Sequence, residues 1–356
     1  MREAARIRKK QRRSMKRILF RGNNWLGDAI MSLPTIRAFR DLYPNVKIAV
    51  LTNSNLYELY KATPYVDEII SYDRTIANGV GQRTRNWLRL VKTIKGGRFD
   101  TAIIFPRSFS SAFTIFSARI PRRIGYKADG RGKLLTDAVQ RRKELLNTHR
   151  IHYFANLISP ITNINKIPSP SIEVNSDMGK WADGKLLSLN ISRRDRIVGL
   201  NPSATYGSAK QWYPERFAET AKRLVEKYNA KILIFGGSSD TKLGETITSL
   251  VGKNVYNFSG QTTILQLAAF INRCSVFITN DTGPMHLADA LGIPIVAIFG
   301  STDPITTAPF GRNNTIIRHK VECAPCLLRT CPIDHRCMNL ITVDEVYNAA
   351  MYWLER

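Results

Sequence analysis

Short apolar runs alternate with amphipathic stretches along almost the whole chain, a rhythm that predicts a parallel α/β protein. In the first half, runs at 17–20, 47–51, 68–71, 100–105 and 123–126 read as strands, with helical patterns at 28–42, 85–95, 109–116 and 149–157. The second half repeats the scheme: strands at 197–200, 231–235, 255–257, 276–279 and 295–299, helices at 214–227, 241–251, 263–272, 284–291 and 343–354. A polar, Pro-containing segment from 159 to about 194 breaks the rhythm and reads as the interdomain region. The expected architecture is two doubly wound Rossmann-like domains facing each other across a cleft, at 15–175 and 195–340. A basic extension (1–14) precedes them, and a last helix (341–356) is expected to pack back on the N-terminal domain. In such sheets ligands sit at the carboxyl ends of the strands.

Composition narrows the class. The 356 residues leave room for two cores, and 44% apolar with 23% charged residues describes a globular chain. No apolar run approaches the roughly 20 residues that span a bilayer. The beginning, MREAARIRKKQRRSMKR, lacks the apolar stretch of a secretory signal, which points to the cytoplasm. Met15 followed by the first strand looks like a natural start.

The formal net charge is +25; residues 1–17 carry nine Lys/Arg and one Glu, so +8 lies there and +17 in the body. A second basic run between Arg119 and Arg150 includes Arg122, Arg123, Arg131, Arg141 and Arg142. Such a surface favours an anionic partner: nucleic acid, an acidic membrane or a phosphorylated glycolipid. The arm could also hold the protein at an anionic membrane.

The chemistry concentrates in loops at strand ends. In the stretch 276–300, VFITNDTGPMHLADALGIPIVAIFG, Pro284 stands where a first helical residue is favoured. Thr282 and Gly283 lie just ahead of that helix, where unpaired N–H groups and the helix dipole attract an anion. His286 is one turn in, within reach of a phosphate or packed on the sheet; the plainer reading of Asp281 or Thr282 is an N-cap. A second loop, 201–212, ends in Lys210 beside Trp212, and a lysine there could neutralise a diphosphate rather than be merely solvated. The third loop, Arg21 to Asp28, follows the first strand, and Asp28 could cap its helix or accept a proton from a hydroxyl. Gly236-Gly237-Ser238-Ser239-Asp240 has neither a Walker lysine nor dinucleotide spacing, which argues against NTPase and dinucleotide sites.

Taken together, Gly27-Asp28 with Pro34, Lys210-x-Trp212 with Pro214, and Asp281-Thr282-Gly283-x-x-His286 resemble the ADP-heptose:lipopolysaccharide heptosyltransferases, glycosyltransferase family 9. The resemblance runs from Met15 to the C-terminus. Cys323-x-x-Cys326, Arg329, Cys331-Pro332, His335 and Cys337-Met338 look like the heptosyltransferase-II-like members.

It implies a GT-B fold, cytoplasmic or peripheral at the inner membrane, with inverting, metal-independent transfer of heptose from ADP-heptose to the lipid A-linked inner core of lipopolysaccharide. No cofactor is implied, the ADP-sugar being a substrate. Carried over, Asp28 is the general base and Lys210 the counter-charge for the departing diphosphate. Thr282, Gly283 and His286 hold that diphosphate with Asp281 near the donor. Thr205, Asp240 and Thr262 fall where family members approach the nucleotide-sugar, and Arg122 and Arg123 suit an anionic acceptor. Tyr213, between Trp212 and Pro214, and the basic arm depart from the family pattern.

Other readings stay open. Cys323, Cys326, Cys331 and Cys337 could hold a structural zinc or iron–sulfur cluster, or simply lie in a Pro-shaped loop; stable disulfides are not expected inside a cell. A family 9 enzyme with another sugar or acceptor is one alternative, and a GT-B NDP-sugar epimerase is another, though it needs further acid/base groups. A basic nucleic-acid-binding protein is the reading from a different class, against which no recognised binding module or aromatic stacking platform appears.

Overall fold

The structure is a computed structural model describing residues 15–73, 80–162, 164 and 166–356; the basic arm 1–14 lies outside the described residues. The chain divides into two compact units between Pro168 and Ser169. In the first, strands β1 (Arg17–Arg21), β2 (Lys47–Asn53), β3 (Glu68–Tyr72), β4 (Thr101–Ile104), β5 (Arg122–Tyr126) and β6 (Asp137–Val139) form one sheet in the order 3-2-1-4-5-6. Every pairing is parallel. The chain reverses direction across the sheet between β1 and β4, and such switch points are where doubly wound folds bind ligands.

The second unit repeats the plan with β7 (Ile197–Asn201), β8 (Lys231–Ile234), β9 (Val255–Asn257), β10 (Val276–Asn280), β11 (Ile295–Ile298) and β12 (Asn314–Ile317). Its order, 12-11-10-7-8-9, is that of the first sheet under a shifted numbering, again all parallel, with its switch point between β7 and β10. The pair of doubly wound Rossmann-like domains expected from the apolar rhythm is present.

Parallel sheets covered on both faces need continuous apolar strands. Accordingly Ile18, Leu19 and Phe20 of β1 and Val276, Phe277 and Ile278 of β10 are fully buried.

Two boundaries differ from expectation. The interdomain stretch contains a helix, Ser176–Leu187, capped by the Asn175 side chain on Met178 N (2.9 Å). It belongs to the second unit, where Trp181 packs on Phe270 and Ile172 N donates to Ala290 O (3.1 Å). The last helix, Val343–Leu354, was expected to return to the N-terminal domain; it packs in the second unit instead. Val346, Tyr347, Ala350 and Leu354 join the core with Val225 and Ile317. Arg223 pairs with Asp344 (2.7 Å), and Trp353 Nε1 donates to Thr315 Oγ1 (3.0 Å). That apolar face matches the helix Pro214–Tyr228 and the edge of its own sheet, so burial is satisfied locally.

Candidate active site

In the second unit the loops after β7 and β10 meet at the switch point. Asn280, fully buried at the end of β10, accepts from Trp212 N through Oδ1 (3.1 Å) and donates to Pro202 O through Nδ2 (2.7 Å). Trp212 is itself buried against Phe217, and its Nε1 donates to Ile341 O (3.1 Å). These bonds seat Lys210, whose Nζ lies 2.7 Å from Asp281 Oδ2. The Lys210 side chain is 14% exposed and that of Asp281 4%, which replaces the reading of a solvated surface lysine. Thr302 Oγ1 donates to the same Asp281 oxygen (2.7 Å). Asp281 therefore neither caps the following helix nor points away from the lysine: it fixes the ammonium in place, a charge-assisted bond that holds direction as well as charge.

The helix that follows, Gly283–Ala290, begins with Thr282 in extended conformation and no side-chain cap. Pro284 lies in the first turn as expected and supplies no N–H, and Met285 N donates to Thr282 O (3.1 Å), so the Gly283 N–H and the helix dipole are what this strand end offers an anion. Thr282 and Gly283 are half-buried, whereas His286 is buried at 4% exposure. Thr205 is exposed in the turn leading to Lys210. Asp240 accepts from Gly237 N (2.7 Å) and so closes the turn after β8. Gly260 N donates to Gly236 O (2.9 Å), joining that turn to the loop after β9 where Thr262 precedes the capping pair Thr263–Gln266.

The cysteine-bearing segment has a structural role that its spacing did not reveal. Arg329 O accepts from Ala209 N (3.0 Å), Leu327 O from Tyr206 Oη (2.9 Å), and His335 Nε2 lies 3.1 Å from Ala209 O. Leu327 N donates to Ser301 O (2.9 Å), next to Thr302. One segment therefore braces the loop that carries Lys210 and the loop after β11 that carries Thr302, the partner of Asp281. The Tyr206 ring has Lys210 Nζ and Arg329 Cζ each 5.3 Å from its centre. A Cβ at Gly207 would fall 2.2 Å from Arg329 O, so glycine is required for this approach. Among the described residues no three His, Cys, Asp or Glu side chains are grouped so as to hold a metal ion.

In the first unit Asp28 sits in the first turn of the helix Leu26–Leu42, half-buried. The helix begins two residues earlier than expected, so Asp28 is not its N-cap; Trp25 is. Asn23 Nδ2 donates to Asp28 O (3.1 Å) and fixes the turn after β1. At the end of β1 a cavity of about 720 Å³ opens, lined by Arg21, Asn24, Tyr72, Arg83, Trp87 and Ser111 among others; Asp28 is not part of its lining. That volume is in the range of small-molecule sites. Arg21 donates to Asn24 Oδ1 (3.1 Å) and to the Tyr72 hydroxyl, and its guanidinium lies 5.1 Å from the Tyr72 ring centre.

Arg122 and Arg123 are elsewhere. Arg122 forms a two-pronged pair with Asp137 (3.2 and 3.1 Å) and donates to Pro160 O (3.0 Å). Arg123 donates to Leu134 O (2.7 Å) and Ile120 O (2.6 Å). Neither lines the cavity. Their donors tie β5 to its neighbours, and the cations that line the cavity are Arg21, Arg83 and Arg89.

Comparison with known proteins agrees with this layout. The model of glycosyltransferase family 9 (heptosyltransferase) matches residues 87–336. Lipopolysaccharide heptosyltransferase 2 of Salmonella typhimurium (strain LT2) is 29% identical over 321 residues, covering 86% of this chain and 90% of its own length. Lipooligosaccharide heptosyltransferase 2 of Campylobacter jejuni (serotype O:6) is 28% identical over 331 residues, 90% and 94% of the two chains. The structure of E. coli ADP-heptose LPS heptosyltransferase II superposes with a TM-score of 0.81 at 25% identity, covering 96% of this chain and 99% of that one. Its fold is GT-B, and the chain belongs to glycosyltransferase family 9, the heptosyltransferases, and is a glycosyl-transferring enzyme.

Proposed function

We propose that this enzyme transfers heptose from ADP-heptose to the inner core of lipopolysaccharide, with inversion and without a catalytic metal. The observation that carries the reading is the buried Lys210–Asp281 pair beside the N-terminus of the helix Gly283–Ala290, which has no side-chain cap, at the switch point of the second sheet. An ammonium and a helix N-terminus fixed together suit a diphosphate that gains charge as it departs, because groups already oriented need no reorganisation when the bond breaks. Lys210, Thr282, Gly283 and His286 hold that diphosphate; Asp281 acts through Lys210, and Thr205, Asp240 and Thr262 bound the nucleotide-sugar.

In the reaction an acceptor hydroxyl oxygen attacks the anomeric carbon, and its proton passes to Asp28. The bond from that carbon to the diphosphate oxygen breaks, and its electron pair leaves with ADP. A carboxylate of ordinary basicity suffices when the proton departs late. The cavity with Arg21, Arg83 and Arg89 suits the anionic sugars of a lipid A-linked acceptor, in place of Arg122 and Arg123. Acting on such a lipid places the enzyme at the inner face of the inner membrane.

Three measurements test this. Thermal shift against ADP, UDP, GDP and CMP should raise the melting temperature with ADP alone, since a ligand of the folded state stabilises it; equal shifts with UDP would reassign the donor. Asp28→Ala should abolish ADP release from ADP-heptose and acceptor while keeping the ADP-induced shift, and retained turnover would remove Asp28 as the base. Chelator treatment should leave the wild-type rate unchanged.

A further inference from the structure

The helix Val80–Gly96 is 17 residues long, yet Ile94 is its single buried residue among those described. Its first half projects Val80 (80% exposed) and Leu88 (53% exposed). Trp87 stacks on Phe113 of the neighbouring helix Phe109–Ser117 (5.4 Å between centres) and donates from Nε1 to Thr114 Oγ1 (3.1 Å). Phe113 stacks in turn on Phe109 (5.9 Å). Phe109, Phe113 and Phe116 stand at i, i+4 and i+7, one stripe of a helix, and all three rings are exposed by 39% to 48%. An aromatic ridge of this size on a water-facing surface marks an interaction site.

The charges around the ridge are one-sided. Residues 80–128 hold eleven Lys/Arg and one acid, Asp100. Asp100 is engaged with the backbone N–H groups of Lys16 and Arg17 (2.7 and 2.8 Å). Arg83, Arg85, Arg89, Lys92, Arg107 and Arg119 are exposed, and no ion pair among the described residues involves them. An acid-free cationic helix beside exposed aromatic rings matches a negatively charged, apolar-beneath surface: lipid phosphates meet the guanidinium groups while rings enter the acyl boundary.

We infer that the helices Val80–Gly96 and Phe109–Ser117 form a docking face for an anionic phospholipid bilayer, beside the cavity proposed for the acceptor sugars. The inference rests on the lipid-linked acceptor proposed above. The cavity is lined by Arg83, Trp87 and Ser111 from these same two helices, so a bilayer seated on the ridge delivers its lipid-anchored sugar to the cavity's edge.

Vesicles free of acceptor test it with the full-length protein. The wild type should bind phosphatidylethanolamine–phosphatidylglycerol vesicles and not phosphatidylcholine vesicles. Phe109→Ser with Phe116→Ser, and separately Arg85→Glu with Lys92→Glu, should each weaken binding by about tenfold or more. None of these four residues lines the cavity, so turnover of a delipidated, water-soluble acceptor should be unchanged. Brominated lipid should quench fluorescence in the wild type and markedly less in Trp87→Phe. Wild-type binding by both double variants, or quenching insensitive to Trp87, overturns the docking face and leaves the basic arm as the membrane contact. Self-association abolished by the Phe variant also overturns it, since the ridge would then join two copies. Failure to turn over the soluble acceptor sinks the enzymatic reading without touching the vesicle result.

Discussion

Lys210 and Asp281 lie 71 residues apart in sequence and meet in a setting where neither charge is well hydrated. Removing one partner of a buried pair leaves the other uncompensated, a loss of about 3 kcal/mol or more. Asp281 also accepts from Thr302, so Asp281→Ala strands both a cation and a hydroxyl. It should lower the denaturation midpoint in urea and diminish the ADP-induced thermal shift together. Lys210→Ala leaves the buried Asp281 carboxylate with its Thr302 bond but no cation, so it should lower both kcat and the denaturation midpoint; an Asp281→Ala protein as stable as wild type would remove the buried pair from the argument. Lys210, Asp281 and the Thr282–Gly283 turn were legible because charge, glycine and proline mark strand ends in any sequence. Asn280, Thr302, Tyr206 and Arg21 were not: their importance comes from partners far along the chain, such as Trp212 N for Asn280. For Arg122 and Arg123 a count of cations is blind to the carbonyls and carboxylate that engage their donors.

Loops here depend on one another more than on the strands they leave. The Lys210 loop rests on the segment around Arg329, with only Gly207 thin enough at the contact. Gly207→Ala should push the two apart, shrinking the ADP thermal shift while the far-ultraviolet circular dichroism stays as in the wild type; an unaltered ADP response would show that the loop tolerates the separation. Strands buried on both faces were read within a residue or two, because a run of Val and Ile has one use in a parallel sheet. The edge strands β6 and β12 escaped, being short and half-exposed with polar residues at Asp137 and Asn314. The helix Ser176–Leu187 escaped for a related reason: Ala182 and Leu186 alone are buried in it, too few to write a helical period.

At the scale of the molecule, two sheets of one strand order each carry a full core, and the sequence announced both through the repeated rhythm. It could not say where the last helix would settle, because an apolar stripe does not name its partner. The cores also carry titrating groups. Burial pushes the Tyr60 and Tyr126 hydroxyls well above the ordinary tyrosine range, while burial pushes Arg131 down to about 10. The folded tyrosines keep protons that the unfolded chain releases near pH 10, so their contribution is complete below that pH and falls as pH rises, about 1.4 kcal/mol per tyrosine for each unit above it. Arg131 works in the opposite sense, since its folded form sheds its proton first. With these two tyrosines and Tyr153, raised likewise by burial, against one arginine, the melting temperature should drop between pH 9 and 11, and drop less in Tyr126→Phe. A flat profile would mean that these hydroxyls ionise in place.

The thin anchoring of the helix Val80–Gly96 carries a consequence in time as well as in space. With Ile94 alone buried, its leading turns open by fraying while the two sheets stay folded, so their amide hydrogens exchange through small local excursions rather than through global unfolding. The cavity wall that bears Arg83 and Trp87 is thus drawn from a lightly anchored helix, and a ligand settling on it should slow the exchange of those amides.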